Sequence, residues 1–307
     1  MADLDEPAPQ DVLPNRYLVG EEISFTGTAV LVECVDTLNH NAPKVAKIQY
    51  TDHETPMLTE HRAYNAIFQS QMDPPGFCRR PAFGESLNRR FLIFEQLGNN
   101  PENRMAGPAN ALPTLPLPAV VEVGLRGLTA LRTLHELDLL HQDIRPSNFL
   151  YGLPQTNRDN TSHLMNFGMT TRYMQNQNGQ RRHVRPGRQK ADVRVNLMFG
   201  SRLAVVRHKI GRQSDIESLI YVLVYLTRGF LPWQDLCVQD QDFNFANSRQ
   251  EVANIKRRLR NNQNEREQLF QECPIQFRQM YELVINTRYS QRPDYDVLQN
   301  LLETIPV

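Results

Sequence analysis

The stretch His141-Gln142-Asp143-Ile144-Arg145-Pro146-Ser147-Asn148-Phe149-Leu150 decides how this 307-residue chain is read. It follows a segment in which Val121, Leu125, Leu128, Leu131 and Leu134 recur at helical spacing, predicting a helix that ends near Asp138. Phosphoryl transfer asks a protein for positioned charge more than for covalent chemistry. In that chemistry Asp143 would orient or accept a hydroxyl proton, Asn148 would hold a metal, and Arg145 would touch the transferring group. A polar turn closing a helix has a similar look, so the pattern needs support from the rest of the chain.

Upstream, Ala29–Val32, Lys44–Ile48 and Phe91–Phe94 are short apolar runs between polar turns, and they predict strands. Lys47 lies near the end of the second. Between the second and third run, Ala63, Tyr64, Ile67 and Phe68 predict a helix that Thr59 could cap, with Glu60 at its start. A lysine on a strand and a glutamate on the next helix would each be a solvated charge if met alone. In this order, ahead of this loop, they form the pair that holds nucleotide phosphates. Residues 16–97 thus read as a small sheet carrying one helix. Pro101, Pro108, Pro113, Pro116 and Pro118 leave little room for helix in 99–118, an irregular connection. Residues 119–305 turn helical. Ile216–Leu226 is nearly all apolar and predicts full burial, 248–270 predicts a charged surface helix, and 278–287 and 295–303 predict closing helices. The class is α+β, a bilobal outline with a strand-rich N-lobe and a mainly helical C-lobe. Residues 1–15 read as a flexible tail.

Composition narrows the setting. Thirty-four Lys and Arg balance thirty-four Asp and Glu, so no global field draws the chain to nucleic acid or a membrane. The N-terminus lacks the basic and apolar regions of a secretory signal, and no apolar run reaches the ~18 residues of a membrane span. An intracellular protein, cytoplasmic or nuclear, is expected. Cys34, Cys78, Cys237 and Cys273 lie too far apart for a metal knuckle or redox motif.

Downstream come Leu164-Met165-Asn166-Phe167-Gly168, then Gly211-Arg212-Gln213-Ser214-Asp215-Ile216-Glu217-Ser218-Leu219, Leu231-Pro232-Trp233 and Arg292-Pro293-Asp294-Tyr295. With Asn-Phe-Leu-Tyr-Gly after the opening loop, these resemble the casein kinase 1 group of protein kinases, including its tau-tubulin and vaccinia-related branches, over residues 16–305. The resemblance implies a catalytic set of Asp143, Arg145, Lys47 and Glu60, and metal ligands Asn148 and Asn166. It implies ATP and magnesium as cofactors. Nucleotide would contact Lys47, Ser24 and Gly27, with Phe94 as gatekeeper and Glu95 to Leu97 as the hinge. Asp215 would brace the loop backbone, and His141, Phe167 and Tyr64 would form a spine between the lobes.

Four departures bear on activity. Asn166 stands where the family has a metal-binding Asp. Magnesium favours carboxylate oxygen, and one lost charge beside a metal is worth on the order of a few kcal/mol, where ~1.4 kcal/mol is a factor of ten in rate. The family's phosphate-loop glycines align with Ser24, Thr26 and Ala29, while Gly27 falls elsewhere, so side chains hinder close backbone approach. The segment from Gly200 to Val206 replaces the family's peptide platform and is followed by a connection shorter by about five residues. Gln142 replaces an Arg. A pseudokinase or strongly impaired kinase acting as a protein-binding scaffold follows from these, and an active Ser/Thr kinase is the alternative. ATP and Mg²⁺ binding would be weakened.

The segment 181–212 is basic, with Arg181, Arg182, Arg185, Arg188, Lys190, Arg194, Arg202, Arg207, Lys209 and Arg212 against one acid, Asp192. Arginine pairs with phosphate and carboxylate in bidentate fashion, so an acidic or phosphorylated protein partner fits here, and a solvated loop is the plain alternative. With Phe199 as its one Phe, Tyr or Trp and no recognisable nucleic-acid module, the segment does not read as a nucleic-acid site.

Overall fold

The computed structural model describes residues 12–13, 16–25, 28–50, 56–70, 72–86, 88–154, 156–184, 195–208, 210–238 and 245–307. Thr26 and Gly27, most of the expected tail, and Arg185, Arg188, Lys190, Asp192, Arg194 and Lys209 lie outside them.

The N-terminal part is one antiparallel sheet. Its strands are β1 (Val12–Leu13), β2 (Tyr17–Phe25), β3 (Val30–Asp36), β4 (Ala42–Tyr50), β5 (Ala82–Ser86) and β6 (Arg89–Glu95), in the order β1-β2-β3-β4-β6-β5. Alternation along β3, β4 and β6 sends Val32, Cys34, Ala46, Ile48, Phe91 and Ile93 to one face, where with Tyr17 and Val19 they form a small core of their own. The other face carries Lys47, opposite Leu31 on β3 and Leu92 on β6. The expected strand runs fall within β3, β4 and β6, save that β3 starts at Val30. Helix α1 (Pro56–Ser70) crosses between β4 and β5. It starts before Thr59, which therefore lies inside the first turn and is not its cap; proline is well suited to the opening position.

The remainder is helical: α2 (Leu117–Glu136), α3 (Arg202–Val205), α4 (Arg212–Arg228), α5 (Gln234–Val238), α6 (Phe245–Asn261), α7 (Gln263–Leu269), α8 (Ile275–Asn286) and α9 (Tyr295–Glu303). Short strand pairs accompany them: β7 (Leu139–Leu140) with β10 (Thr171–Arg172), β8 (Phe149–Tyr151) with β9 (Ser162–Leu164), and β11 (Met174–Gln177) with β12 (Gln180–His183). Helix α4 is the centre of the main core, with Ile216, Leu219, Ile220, Val222, Leu223 and Val224 wholly buried. At ~1.5–3 kcal/mol per buried large apolar side chain, this helix anchors the lobe. Close packing needs small residues facing it. A Cβ on Gly127 of α2 would meet Leu219 Cδ1 at 2.9 Å and Phe149 Cε1 at 3.1 Å.

Two further expectations are corrected. The Pro-rich connection ends earlier than expected, because Pro116 precedes α2 and Pro118 sits within its first turn, where the missing N–H costs nothing. The single surface helix over 248–270 is two helices. Asn262 separates them, its side chain accepting the Asn264 N–H at 2.9 Å, and α6 buries Val252, Ala253, Leu259 and, unexpectedly, Lys256.

Candidate functional site

The expected polar residues meet between the sheet and the helical lobe, in one chain of contacts. Lys47 Nζ lies 2.7 Å from Glu60 Oε2, and Glu60 is 1% exposed. The other carboxylate oxygen of Glu60 accepts the Phe167 N–H at 3.3 Å. Lys47 also donates to Asn166 Oδ1 at 3.3 Å. Asn166 Nδ2 in turn donates to Asn148 Oδ1 at 3.2 Å. Asn148 Nδ2 donates to the Asp143 carbonyl at 2.7 Å and to Asp143 Oδ2 at 3.0 Å. Arg145 Nε stands 3.3 Å from that same Oδ2. The run Glu60, Lys47, Asn166, Asn148, Asp143, Arg145 is thus continuous. Asn166 has φ 66° and ψ 65°, the left-handed region that Asn and Asp tolerate better than other non-glycine residues.

The loop is braced from below. Asp215 Oδ2 accepts the His141 N–H at 2.8 Å, and Oδ1 accepts the Gln142 N–H at 2.9 Å. His135 Nε2 lies 3.0 Å from Asp215 Oδ2, and its Nδ1 contacts the Tyr295 hydroxyl. Burial alone would raise the Asp215 carboxyl, but its bonds to His135 and to the loop amide of Gln142 outweigh this and hold it below its usual range. Burial lowers the His135 and His141 imidazoles, against the pull of Asp215. The expected spine is present with edge-on rings: Tyr64 and Phe167 centroids are 4.8 Å apart at 90°, and His141 and Phe167 5.2 Å apart at 68°. Phe94 is buried, 5.8 Å from Tyr64.

Ser24 is exposed and pairs with Leu31 in the β2–β3 ladder, so it carries a side chain where close backbone approach would favour glycine. Gly27 lies outside the described residues. Leu97 packs against the main core. Glu95 is engaged elsewhere: its carboxylate accepts the Arg79 N–H at 2.7 Å and meets Arg158 Nη1 at 3.0 Å.

Sequence reasoning missed the other half of that clamp. Arg158 comes from the β8–β9 loop, and its Nη2 also donates to the Phe77 carbonyl at 3.0 Å. Arg104 holds the same loop through the Asp159 carbonyl and carboxylate, at 3.1 and 3.3 Å, and lies over the Tyr151 ring. Nothing local marks a loop arginine as a strap, because its partners lie 63 and 81 residues away. Gln142 is more than a missing Arg. Its Nε2 donates to the Met169 carbonyl at 3.0 Å and to Thr171 Oγ1, tying the loop to the segment beyond Phe167. Asn178-Gly179, both at positive φ, turns the β11–β12 hairpin, a signal that was available in the sequence. Of the basic segment, Arg181 pairs with Asp138, Arg182 bonds Gln180, and Arg212 lies over Tyr173 and bonds the Ser290 carbonyl.

Among the described residues, no cluster of three or more His, Cys, Asp or Glu could hold a metal, and no helix is long and apolar enough to cross a membrane. No protein-family model matches the chain. Curated relatives do. The chain is 30% identical over 295 residues to casein kinase I homolog 2 of Saccharomyces cerevisiae, covering 94% of this chain and 50% of the relative. It is 29% identical over 293 residues to the casein kinase I homolog RAG8 of Kluyveromyces lactis, covering 94% and 51%. The chain therefore spans about half the length of the curated relatives it matches. The solved structure of vaccinia related kinase 3 has the same fold, with a TM-score of 0.75 at 20% identity over 98% of this chain and 91% of that one. Sequence kinship over nearly its whole length and a shared two-lobed fold relate the chain to the casein kinase 1 group of protein kinases.

Proposed function

We propose that metal-dependent phosphoryl transfer is lost or strongly impaired in this chain, and that it works as a protein-binding scaffold built on the kinase fold. One observation carries this: Asn166 fills the corner where the family has its metal-binding carboxylate, and its amide is shared between Lys47 and Asn148. The donor set as arranged suits magnesium poorly. It offers one carboxylate, Asp143, whose Oδ2 already meets Asn148 and Arg145. The two carboxamide oxygens each accept an N–H, and a hard dication favours charged oxygen. Kinases of this group use ATP and magnesium in general; here both would bind more weakly, with nucleotide against Lys47, Ser24, Gly27, Phe94, Glu95 and Leu97.

An active Ser/Thr kinase is the second reading, and the short Lys47–Glu60 pair with an intact Asp143 favours it. The partner in the first reading is an acidic or phosphorylated protein at the 181–212 segment, where Arg182 and Arg207 are charges that no acidic residue balances within hydrogen-bonding range among the described residues. Four cysteines without disulfides suit a reducing, intracellular setting.

The test is ATP binding by thermal shift with and without Mg²⁺, beside a casein phosphorylation assay. Stabilisation that requires Mg²⁺, with transfer abolished by Asp143→Asn, rejects the pseudokinase. No nucleotide effect under any condition rejects the kinase.

A further inference from the structure

Lys256 is 0% exposed, in a helix that otherwise presents arginines to solvent. Its Nζ donates to three carbonyls of one segment: Leu197 at 2.9 Å, Met198 at 3.3 Å and Gly200 at 2.5 Å. An ammonium has three N–H donors, so each is used. The nitrogen also lies 4.6 Å from the Trp233 ring centroid and 4.8 Å from that of Tyr221, the distance of a cation–π contact. Trp233 Nε1 donates to the same Met198 carbonyl at 2.7 Å. Gly200 is needed at the end of the segment, where a Cβ would come within 2.3 Å of the Asn196 carbonyl oxygen. The next residues are fixed from α4: Glu217 Oε1 accepts the Arg202 N–H at 2.9 Å and the Tyr221 hydroxyl at 2.8 Å, and Ser201 caps the short helix α3.

A buried ammonium is costly, and a methionine of similar length would fill the space without that cost. Burial pushes this amine down to about 7, against the pull of Glu217 and Cys237. What the charge returns is conformational: it gathers three carbonyls that lie within four residues of chain, and no strand or long helix there would otherwise satisfy them.

We propose that Lys256 is a positioning residue, whose buried ammonium holds the segment Leu197–Gly200, and through it the α3 turn, in one conformation on the peptide-facing side of the fold. That this side faces a peptide rests on the scaffold-or-kinase reading above; the grip of Lys256 on the segment does not, and it is read without nucleotide, metal or substrate. In the casein kinase 1-type chain as it exists, hydrogen exchange is followed in Lys256→Met, Lys256→Arg and Trp233→Phe. Lys256→Met is expected to raise exchange across 197–206 by roughly tenfold or more, since hydrogen bonds to a charged donor are lost, while peptides from 216–226 keep their protection. Trp233 is the only tryptophan of the chain, so its emission, excited at 295 nm, is expected to shift to the red in the same variant. Lys256→Arg, which keeps the charge, restores most of the protection. Trp233→Phe removes one donor to Met198 and gives a smaller rise confined to the same segment, which keeps the proposal open to test even where Lys256→Met fails to fold. Unchanged exchange over 197–206 in either neutral variant overturns it. So does a rise spread evenly over 216–226, which would make Lys256 a core residue and nothing more.

Discussion

Asn166→Asp is the substitution that asks most directly what the site lacks. The new oxygen in place of Nδ2 would face Asn148 Oδ1 near the present 3.2 Å with no hydrogen between them. Asn148 cannot turn its amide without giving up Asp143, to which its Nδ2 donates twice. Two acceptors facing each other form a place for a cation, where the parent chain has a hydrogen bond. Unit charges about 4 Å apart attract by about 4 kcal/mol at an effective dielectric constant near 20, and a divalent ion doubles that. The lost Asn166–Asn148 bond returns about 1 kcal/mol, and desolvating the carboxylate takes back several more. A net gain of at least ~1.4 kcal/mol, or tenfold in affinity, is expected for Mg²⁺ with ATP. Calorimetric titration with ATP at fixed Mg²⁺, repeated in EDTA, reads it. The gain should vanish in EDTA. An affinity within twofold of the parent at every Mg²⁺ concentration would refute the argument from missing charge and leave the phosphate loop around Ser24 as the remaining ground for the proposed impairment.

Three further outcomes follow from the surrounding structure. Arg158→Ala should cost about 1–2 kcal/mol, for two charge-assisted bonds at a partly exposed side chain, and should speed exchange at residues 95–98; a loss of stability with no change there would deny the strap its hold on the hinge. Gly127→Ala should cost about 1–3 kcal/mol by overpacking α2 against Leu219 and Phe149, read as a lower urea midpoint, whereas an unchanged midpoint would mean that the two helices part freely. Burial lowers His163 from its usual 6.5 to about 4, with the nearby Arg158 adding to the shift. The unfolded chain takes up that proton below pH 6.5 and the folded chain does not until about pH 4, so this contribution is whole above pH 6.5 and is lost as pH falls towards 4. It amounts to about 3 kcal/mol, and urea midpoints across that range in the parent and in His163→Phe should show a shallower pH slope in the variant, equal slopes counting against it.

What could be read in advance was local or periodic. Asp143, Asn148 and Arg145 lie within six residues, and Lys47 and Glu60 follow the order of strand and helix, so their meeting was legible. Helix α4 was legible because a helix buried all round has no polar face. The break at Asn262 was harder: a cap in the middle of a charged stretch looks like one more polar surface residue until the chain turns. Lys256 was hidden for a related reason. Among Arg257, Arg258 and Arg260 it reads as one cation of a solvated face, and only the position of α6 against Leu197–Gly200 turns it inward. Arg158 could not be found from spacing, since its partners, Glu95 and Phe77, lie 63 and 81 residues earlier in the chain.

The brace under the opening loop explains why that loop identifies the fold more firmly than it identifies chemistry. Asp215, His135 and Tyr295 fix the backbone of His141 and Gln142 from the helical side, and none of them touches Asn166 or Lys47. The loop's shape is therefore set by a network that does not depend on a metal, while its use in transfer depends on charge on the sheet side. Asn in place of a carboxylate at position 166 leaves the first intact and, on the proposed reading, alters the second. A chain under selection for its shape alone would keep Asp215 and His135 and could let residue 166 change. The Lys47–Glu60 pair is the exception, because it lies on the sheet side and is still formed at 2.7 Å. Its second partner supplies the reason: Glu60 also accepts the Phe167 N–H, which ties α1 to the ring spine joining the lobes. The pair can be kept for holding the lobes together whether or not a phosphate ever reaches Lys47.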